Sequence, residues 1–431
     1  MAHQNRPIVY VNALAIVIFG VLIGWQLRKS GAPEVYQAPV VSGSMGQAIP
    51  GPHYALQCYD CKIPLIVDAG TVGDENLPIC FNCGAPNSLE DISAQVTPVG
   101  YRDMEEGFLT RWRRVVFDYQ DSRYIKRIVG LPGEQIAIED GELFVDGELY
   151  QKDLQEFDQL SSLVFDSRFQ PHDPSYNLLN RFGVRGDDQG WIYTLDKVFA
   201  FDAPVKTRPQ WLDYYHWNVV AGFVPRVERG TSTAIFDYLP YNQFIPRSQL
   251  NFVDDFVVDV SLKIYEPGVV GLRLLNVELE LDFKQFELRR QADTGSGKVS
   301  LAKIKWDDKG TEVKFRVGLV DGLLIFTHNN VYVESNAQRL KLSGDYKVDL
   351  AARLNPISIS ADEGILDITH LRIARDIYWL GADYTANRWE TEVTEVKPAF
   401  LLIGDNQPVS RDCRQWGEAI QKDAIVGILS D

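Results

Sequence analysis

The chain has 431 residues, 45% hydrophobic and 24% charged, the balance of a globular protein long enough for two or three domains. A formal net charge of −16 repels nucleic acid, and six His argue against a multi-histidine metal centre. The 9 Trp, 19 Tyr and 21 Phe, with many Val, Ile and Thr, favour β structure.

The first element is an apolar run from Ile8 to Leu27, "IVYVNALAIVIFGVLIGWQL". Twenty residues at helical rise cover about 30 Å, enough to cross a bilayer. A cleaved signal peptide is the competing reading, but its apolar core is shorter and ends in a small-x-small site, and "GWQLRKSG" is unlike one. Arg6 precedes the run and Arg28 and Lys29 follow it, so charge does not decide the orientation. Residues 31–51 are rich in Pro, Gly, Ser and Ala and read as an extended approach. They contain Ser42-Gly43-Ser44-Met45.

Cys58-Tyr-Asp-Cys61 and Cys80-Phe-Asn-Cys83 form a CxxC–x18–CxxC array. Two turns each offering a thiolate pair suit a tetrahedral zinc ribbon, a closed and therefore structural site. Disulfides remain the alternative in an oxidising compartment. Strand-like runs follow at Val115–Tyr119 and Tyr124–Leu131. "QIAIEDGELFVDGELY" then carries Asp140-Gly141 and Asp146-Gly147 as hairpin turns. Within "YIKRIVGL", Lys126 shares a face with Ile128 and Gly130. A strand lysine ordinarily points to solvent; the alternative is that this face is partly buried, where lost hydration would lower the pKa and suit the amine to general-base work.

The stretch 151–251 is polar and aromatic without clear periodicity. From Phe252 short alternating strands return, as in "TEVKFRVGLV", where Val313, Phe315, Val317 and Leu319 share one face. Their spacing predicts an antiparallel sandwich or jelly roll. Asp254, Asp255, Glu334 and Asp367 are scattered acids, read as solvated. Near the end, "FLLIGDNQPVSRDCRQWG" runs an apolar strand into Gly404-Asp405-Asn406, with Ser410, Asp412 and Arg414 alternating behind it.

In this order, "SGSM", "YIKRIVGLPGE" and "GDN…SRDCR" resemble the motifs of bacterial type I signal peptidases, membrane-bound serine proteases with a Ser–Lys dyad. The resemblance covers the anchor, Val40–Pro50, about Arg111–Leu149 and Pro398–Leu429. With a cysteine insertion after the nucleophile motif and a large one before Gly-Asp-Asn, the chain is similar to planctomycete members. The expected fold is mainly β. Residues 1–30 form tail and transmembrane helix, and 31–57, 91–150 and 381–431 form the catalytic core. Inserted between are a zinc ribbon at 58–90, an irregular segment at 151–251 and a β-sandwich at 252–380.

The resemblance implies that Ser44 is the nucleophile and Lys126 the general base. Ser42 and the Ser44 N–H would bind the oxyanion, and Ser410 would orient the lysine. Asp412 and Arg414 form a supporting ion pair, Asp405 and Asn406 a turn beneath the site, and Arg127 is a basic neighbour. Such an enzyme is a signal peptidase I-like serine endopeptidase. It needs no cofactor for catalysis and carries one structural zinc at Cys58, Cys61, Cys80 and Cys83. Its partners are signal peptides with small residues before the cut and the lipid bilayer, not nucleic acid. It sits in the cytoplasmic (inner) membrane as a single-pass protein with its catalytic domain outside the cytoplasm. Two departures stand out: Gln47 replaces the family's proline two residues after Met45, and Cys413 replaces a common serine. The competing reading is a catalytically degenerate surface protein whose β-sandwich binds a glycan or protein ligand.

Overall fold

A computed structural model of the chain describes residues 34–104, 107–173, 181–185, 190–194, 197–203, 208–220, 222–223, 232–291, 298–303, 312–328, 331–332, 339–341, 348–395 and 397–429. The expected membrane span at 8–27 and Glu334 lie outside these residues. Among the described residues no helix is long and apolar enough to cross a membrane.

The described structure is mainly β. A seven-stranded antiparallel sheet runs in the order Tyr36–Ala38, Val99–Asp103, Ile425–Leu429, Arg114–Tyr119, Ser122–Gly130, Ala399–Ile403 and Ile420–Gln421. Strands from both ends of the chain thus close one sheet. Val115, Val116 and Phe117 are all buried, the continuous apolar run of a strand covered on both faces. Beside it lies a four-stranded sheet of Trp389–Glu392, Gln135–Glu139, Glu142–Val145 and Glu148–Leu149. Its two turns are at Asp140-Gly141 (φ 51° and 88°) and Asp146-Gly147 (52° and 82°), where both central residues are left-handed as a two-residue hairpin requires.

The central insertion folds as two packed antiparallel sheets. One runs Trp191–Thr194, Lys197–Ala203, Gly364–Arg375, Phe256–Glu266, Glu312–Val320, Leu323–His328 and Val331–Tyr332, with Ser162–Asp166 and Arg339–Lys341 attached. The other runs Phe182–Val184, Gln210–Tyr214, Ile357–Ala361, Val269–Leu274, Val277–Asp282, Glu287–Gln291 and Lys298–Lys303. Phe256, Val258, Val260 and Leu262 alternate into the same core as Leu272, Leu279 and Ile359.

The segment expected to be irregular, 151–251, contributes strands to both sheets. Gln210–Tyr214 pairs with Ile357–Ala361, and Ser162–Asp166 with Gly364–Arg375. Their partners lie far along the chain, and Trp, Tyr and Asp within them hide the period of two. The cysteine module also begins earlier than residue 58. Its hairpin joins His53–Gln57 to Pro64–Asp68, so the expected boundary after residue 57 separates two paired strands.

The acids of the sandwich are not all solvated. Asp367 is buried and accepts from the Tyr265 hydroxyl at 2.8 Å, while Asp254 pairs with Arg353. Asp255 lies beside Glu142 and Asp321, and burial raises its pKa well above the ordinary value. Lys152, itself buried, bridges Asp321 at 2.5 Å and Asp376 at 2.9 Å. A helix, Leu154–Leu160, follows, capped by Asp153 and Glu156. Leu154 and Phe157 pack on the sandwich, and Leu160 packs in the core shared by the seven- and four-stranded sheets. This helix therefore fastens insertion to core, each buried side chain contributing about 1.5–3 kcal/mol.

Candidate active site

Lys126 lies on the strand Ser122–Gly130, opposite Val115 on one neighbour. It is 1% exposed. Burial disfavours the charged amine and brings its pKa down to about 8, against an upward pull from Asp412. The amine donates to Ser410 Oγ at 3.0 Å, and Ser410 donates to Asp412 Oδ2 at 2.6 Å. Arg414 grips both oxygens of Asp412 at 2.9 Å. Burial pushes the Asp412 carboxyl up, but the Arg414 charge and its hydrogen bonds outweigh this and hold it below its ordinary value. Arg414 also donates to Gln407 Oε1 and the Leu380 carbonyl, both at 2.6 Å. Asp412 caps the short helix Cys413–Trp416 that carries Arg414, which fixes the local geometry of the pair.

Ser44 reaches this site on a loop held at three points. Met45 and Ile49 are buried in an apolar cluster with Val40, Tyr101 and Val116. Asn406 donates from its side chain to the Gly43 carbonyl at 2.7 Å and from its backbone to the Ser44 carbonyl at 3.1 Å. Gln47 accepts from Ser162 Oγ at 2.7 Å. The Ser44 and Ser42 hydroxyls are 3.3 Å apart. A Cβ added at Gly404 would lie 2.2 Å from Ser410 Oγ and 2.5 Å from the Ser44 carbonyl oxygen, so the Ser44 backbone and the Ser410 hydroxyl converge over that glycine. Among the described residues no hydrogen bond joins Ser44 Oγ to Lys126 Nζ.

Arg127 turns to the opposite side of the strand and forms a two-pronged pair with Asp405 at 2.7 and 2.6 Å. Its third bond is to the Trp112 carbonyl. Asp405 thus ties the Gly-Asp-Asn turn to the lysine strand. Cys413 is buried, and its sulfur accepts from the Leu402 N–H at 3.3 Å. Burial raises that thiol to about 12, so it packs as a small apolar group rather than reacting.

Gln47 has φ 72°, a left-handed conformation that proline's ring forbids. That backbone explains why this loop has no proline there. Two further residues support the site. Asn242 exchanges amide hydrogen bonds with Asn406 at 2.5 and 3.0 Å. Tyr241 lies so close over Gly43 and Gly46 that a Cβ at either would fall 2.7 Å from its ring. Both stand in the aromatic insertion, and no sequence pattern connects them to the loop.

The four cysteines Cys58, Cys61, Cys80 and Cys83 are buried with their sulfurs within 4.8 Å of one another. Cys58 and Cys83 sulfurs are 3.6 Å apart, as are those of Cys61 and Cys80. All four are free thiols. Tetrahedral zinc with bonds of about 2.3 Å separates its sulfurs by about 3.8 Å, whereas a disulfide needs about 2.05 Å. The donor set and spacing fit zinc. Each knuckle ends in a left-handed residue, Lys62 at φ 65° and Gly84 at φ 85°.

Residues 90–178 match the family model "Signal peptidase, peptidase S26", about a fifth of the chain. Lys126 falls inside that match, while Ser44 and Ser410 fall outside it. The match supports a signal peptidase of the serine-protease type as the class of this core. No curated protein matches the chain. Among solved structures, the exoplasmic/lumenal domain of VIP36 in its Ca2+/Man3GlcNAc-bound form is 13% identical. It covers 51% of this chain and 92% of its own, with a TM-score of 0.28. Carbohydrate-binding module CBM66 from Bacillus subtilis is 7% identical and covers 46% and 94%, with a TM-score of 0.23. Domain 4 of the arabinanase AbnA from Geobacillus stearothermophilus is 11% identical and covers 51% and 94%, with a TM-score of 0.28. Likenesses this distant carry no argument about this chain.

Proposed function

We propose that this protein is a membrane-anchored signal peptidase that cuts exported precursors with Ser44 as nucleophile and Lys126 as general base. The observation that carries the reading is the buried Lys126 amine, brought down to about 8 and aimed by Ser410 beside the Ser44 loop. Neutral Lys126 takes the Ser44 proton as Oγ bonds to the scissile carbonyl carbon. The lysine cation then protonates the leaving amine, and an ester joins Ser44 to the acyl half. Water, deprotonated by the same lysine, hydrolyses that ester and restores Ser44. The Ser42 hydroxyl and the Ser44 N–H serve the oxyanion, each such donor being worth about 3 kcal/mol. Ser410 and the Asp412–Arg414 pair position the amine. Asp405, Asn406 and Arg127 hold the loop against the lysine strand.

The anchor at 8–27, with the catalytic core outside the cytoplasm of the inner membrane, fits such a role. Ser44 follows Leu27 by 17 residues, which keeps the site near the bilayer. The substrates on this reading carry small residues before the cut. The four thiols hold one zinc, which fixes two turns of the cysteine module and takes no part in cleavage.

The deciding experiment is cleavage of a purified precursor. Wild-type protein releases the signal peptide, and both Ser44→Ala and Lys126→Ala abolish release. Undiminished cleavage by Ser44→Ala defeats the dyad. Failure of folded wild type to cleave favours the degenerate binding protein. For the metal, elemental analysis gives close to one zinc per chain, lost in Cys58→Ser; thiol titration finding two disulfides rejects it.

A further inference from the structure

A groove of about 420 Å³ opens directly beside the nucleophile loop. That is on the scale of roughly 300–1,000 Å³ typical of ligand sites. Its floor includes Gly46, Gln47 and Ala48, the residues that follow Ser44 and Met45, together with Asp405. Its far wall is not part of the catalytic-type sheet. It is formed by Pro64 and Ile66 of the cysteine module and by residues of the insertion around Ser162.

The charges on this lining are already matched. Asp405 pairs with Arg127, Asp158 with Arg316, and Arg372 with Asp259. A groove with compensated charges favours a neutral occupant. The wall also has main-chain groups to offer. The hairpin His53–Gln57/Pro64–Asp68 has only two strands, which leaves Pro64–Asp68 as an edge. Leu65 and Val67 are buried in the module, while Pro64 and Ile66 are exposed. Main-chain direction alternates as well. Asp68 N–H points away from the hairpin to the Tyr241 carbonyl at 3.1 Å, so Ile66, two residues earlier, also turns its N–H and C=O outward. Among the described residues neither group has a hydrogen-bond partner. An open edge bordering a neutral groove is the arrangement that captures an extended polypeptide by strand addition.

Resting on the peptidase reading above, we propose that this groove receives the polypeptide substrate beside the scissile bond. The substrate runs extended, and Ile66 of the cysteine module pairs with its main chain. The module and insertion then select substrates, with Gln47, tied to Ser162, forming the floor between nucleophile and wall.

The test uses full-length Ser44→Ala protein and a fluorescent precursor peptide spanning both flanks of the cut, with binding read by anisotropy. Ile66→Pro removes the outward N–H without touching the hairpin's own ladder. It is expected to weaken binding at least tenfold, while Ile192→Asp, at an exposed sandwich position away from the groove, does not. A backbone N-methyl scan of the peptide gives a second reading on the unaltered module. One or two adjacent positions lose binding, and those same methyls have no effect on Ile66→Pro. Equal binding by folded Ile66→Pro, a flat methyl scan, or no peptide binding at all overturns the groove. Persistent cleavage by Ser44→Ala strikes instead at the nucleophile assignment, so the two failures are told apart.

Discussion

Lys126 and Ser410 stand 284 positions apart in the chain, yet the lysine amine donates to the serine hydroxyl at 3.0 Å. The contact is made because the strands Ser122–Gly130 and Ala399–Ile403 are neighbours in one sheet, with Ile128 opposite Leu402. Behind Ser410, Asp412 and Arg414 neutralise one another, so the amine meets a satisfied pair rather than a free carboxylate.

This electrostatic balance sets a pH dependence. With the Lys126 pKa at about 8, about a tenth of the molecules carry a neutral amine at pH 7. Peptidase kcat/KM should rise with pH through a midpoint near 8 and level off above it. Asp405 pulls the lysine pKa upward, so Asp405→Asn moves the midpoint to lower pH. A midpoint unchanged in that variant, measured on the same peptide, contradicts the assignment.

Lys126 also costs stability. Its folded pKa, about 8, lies below the ordinary 10.5, a difference of roughly 3 kcal/mol against folding while the unfolded lysine is charged. The sign follows: wild type gains stability as pH rises from about 8 to about 10.5. Lys126→Met removes that cost and loses the Ser410 bond, worth about 1 kcal/mol. The inactive variant should therefore melt higher than wild type at pH 7, with the advantage gone above pH 10.5. Thermal scans at both pH values check this.

Gly404 is required by close approach. A methyl there meets Ser410 Oγ and the Ser44 carbonyl together. Gly404→Ala must push the serine loop and the Ser410 hydroxyl apart, and a displacement near 1 Å costs about 100-fold in rate. Cleavage kinetics should show this as lost kcat with the overall fold retained by circular dichroism.

Gln47→Pro, which restores the residue common in the family, should harm this protein. Proline cannot reach φ 72°, and the Ser162 bond is lost as well. Denaturant unfolding should show a loss of more than about 1 kcal/mol together with reduced cleavage. Gln47→Gly keeps the backbone and loses only the side-chain bond, so its loss should be smaller.

Much of this was written locally. The CxxC pairs, the Asp-Gly turns and the alternation of Val313, Phe315, Val317 and Leu319 each sit within a few residues, where spacing alone fixes which side chains converge. The motif order likewise marked Ser44, Lys126 and Ser410 through resemblance. The aromatic stretch 151–251 is hard to read because its strands pair with remote partners such as Ile357–Ala361 and Gly364–Arg375, and short strands carrying Trp, Tyr and Asp show little periodicity.

The sequence by itself determined a β-rich chain, a four-cysteine cluster and a lysine placed on an apolar strand. Burial and long-range pairing are properties of the packed chain. Only the tertiary structure decided that Lys126 loses its water, that Asp367 is buried and Asp255 half-buried beside Glu142 and Asp321, and that Asn242 and Tyr241 brace the serine loop. It also decided that the cysteine module borders a groove beside that loop. Local spacing fixes which residues share a face, but their distance from water and from remote partners is set when the sheets close.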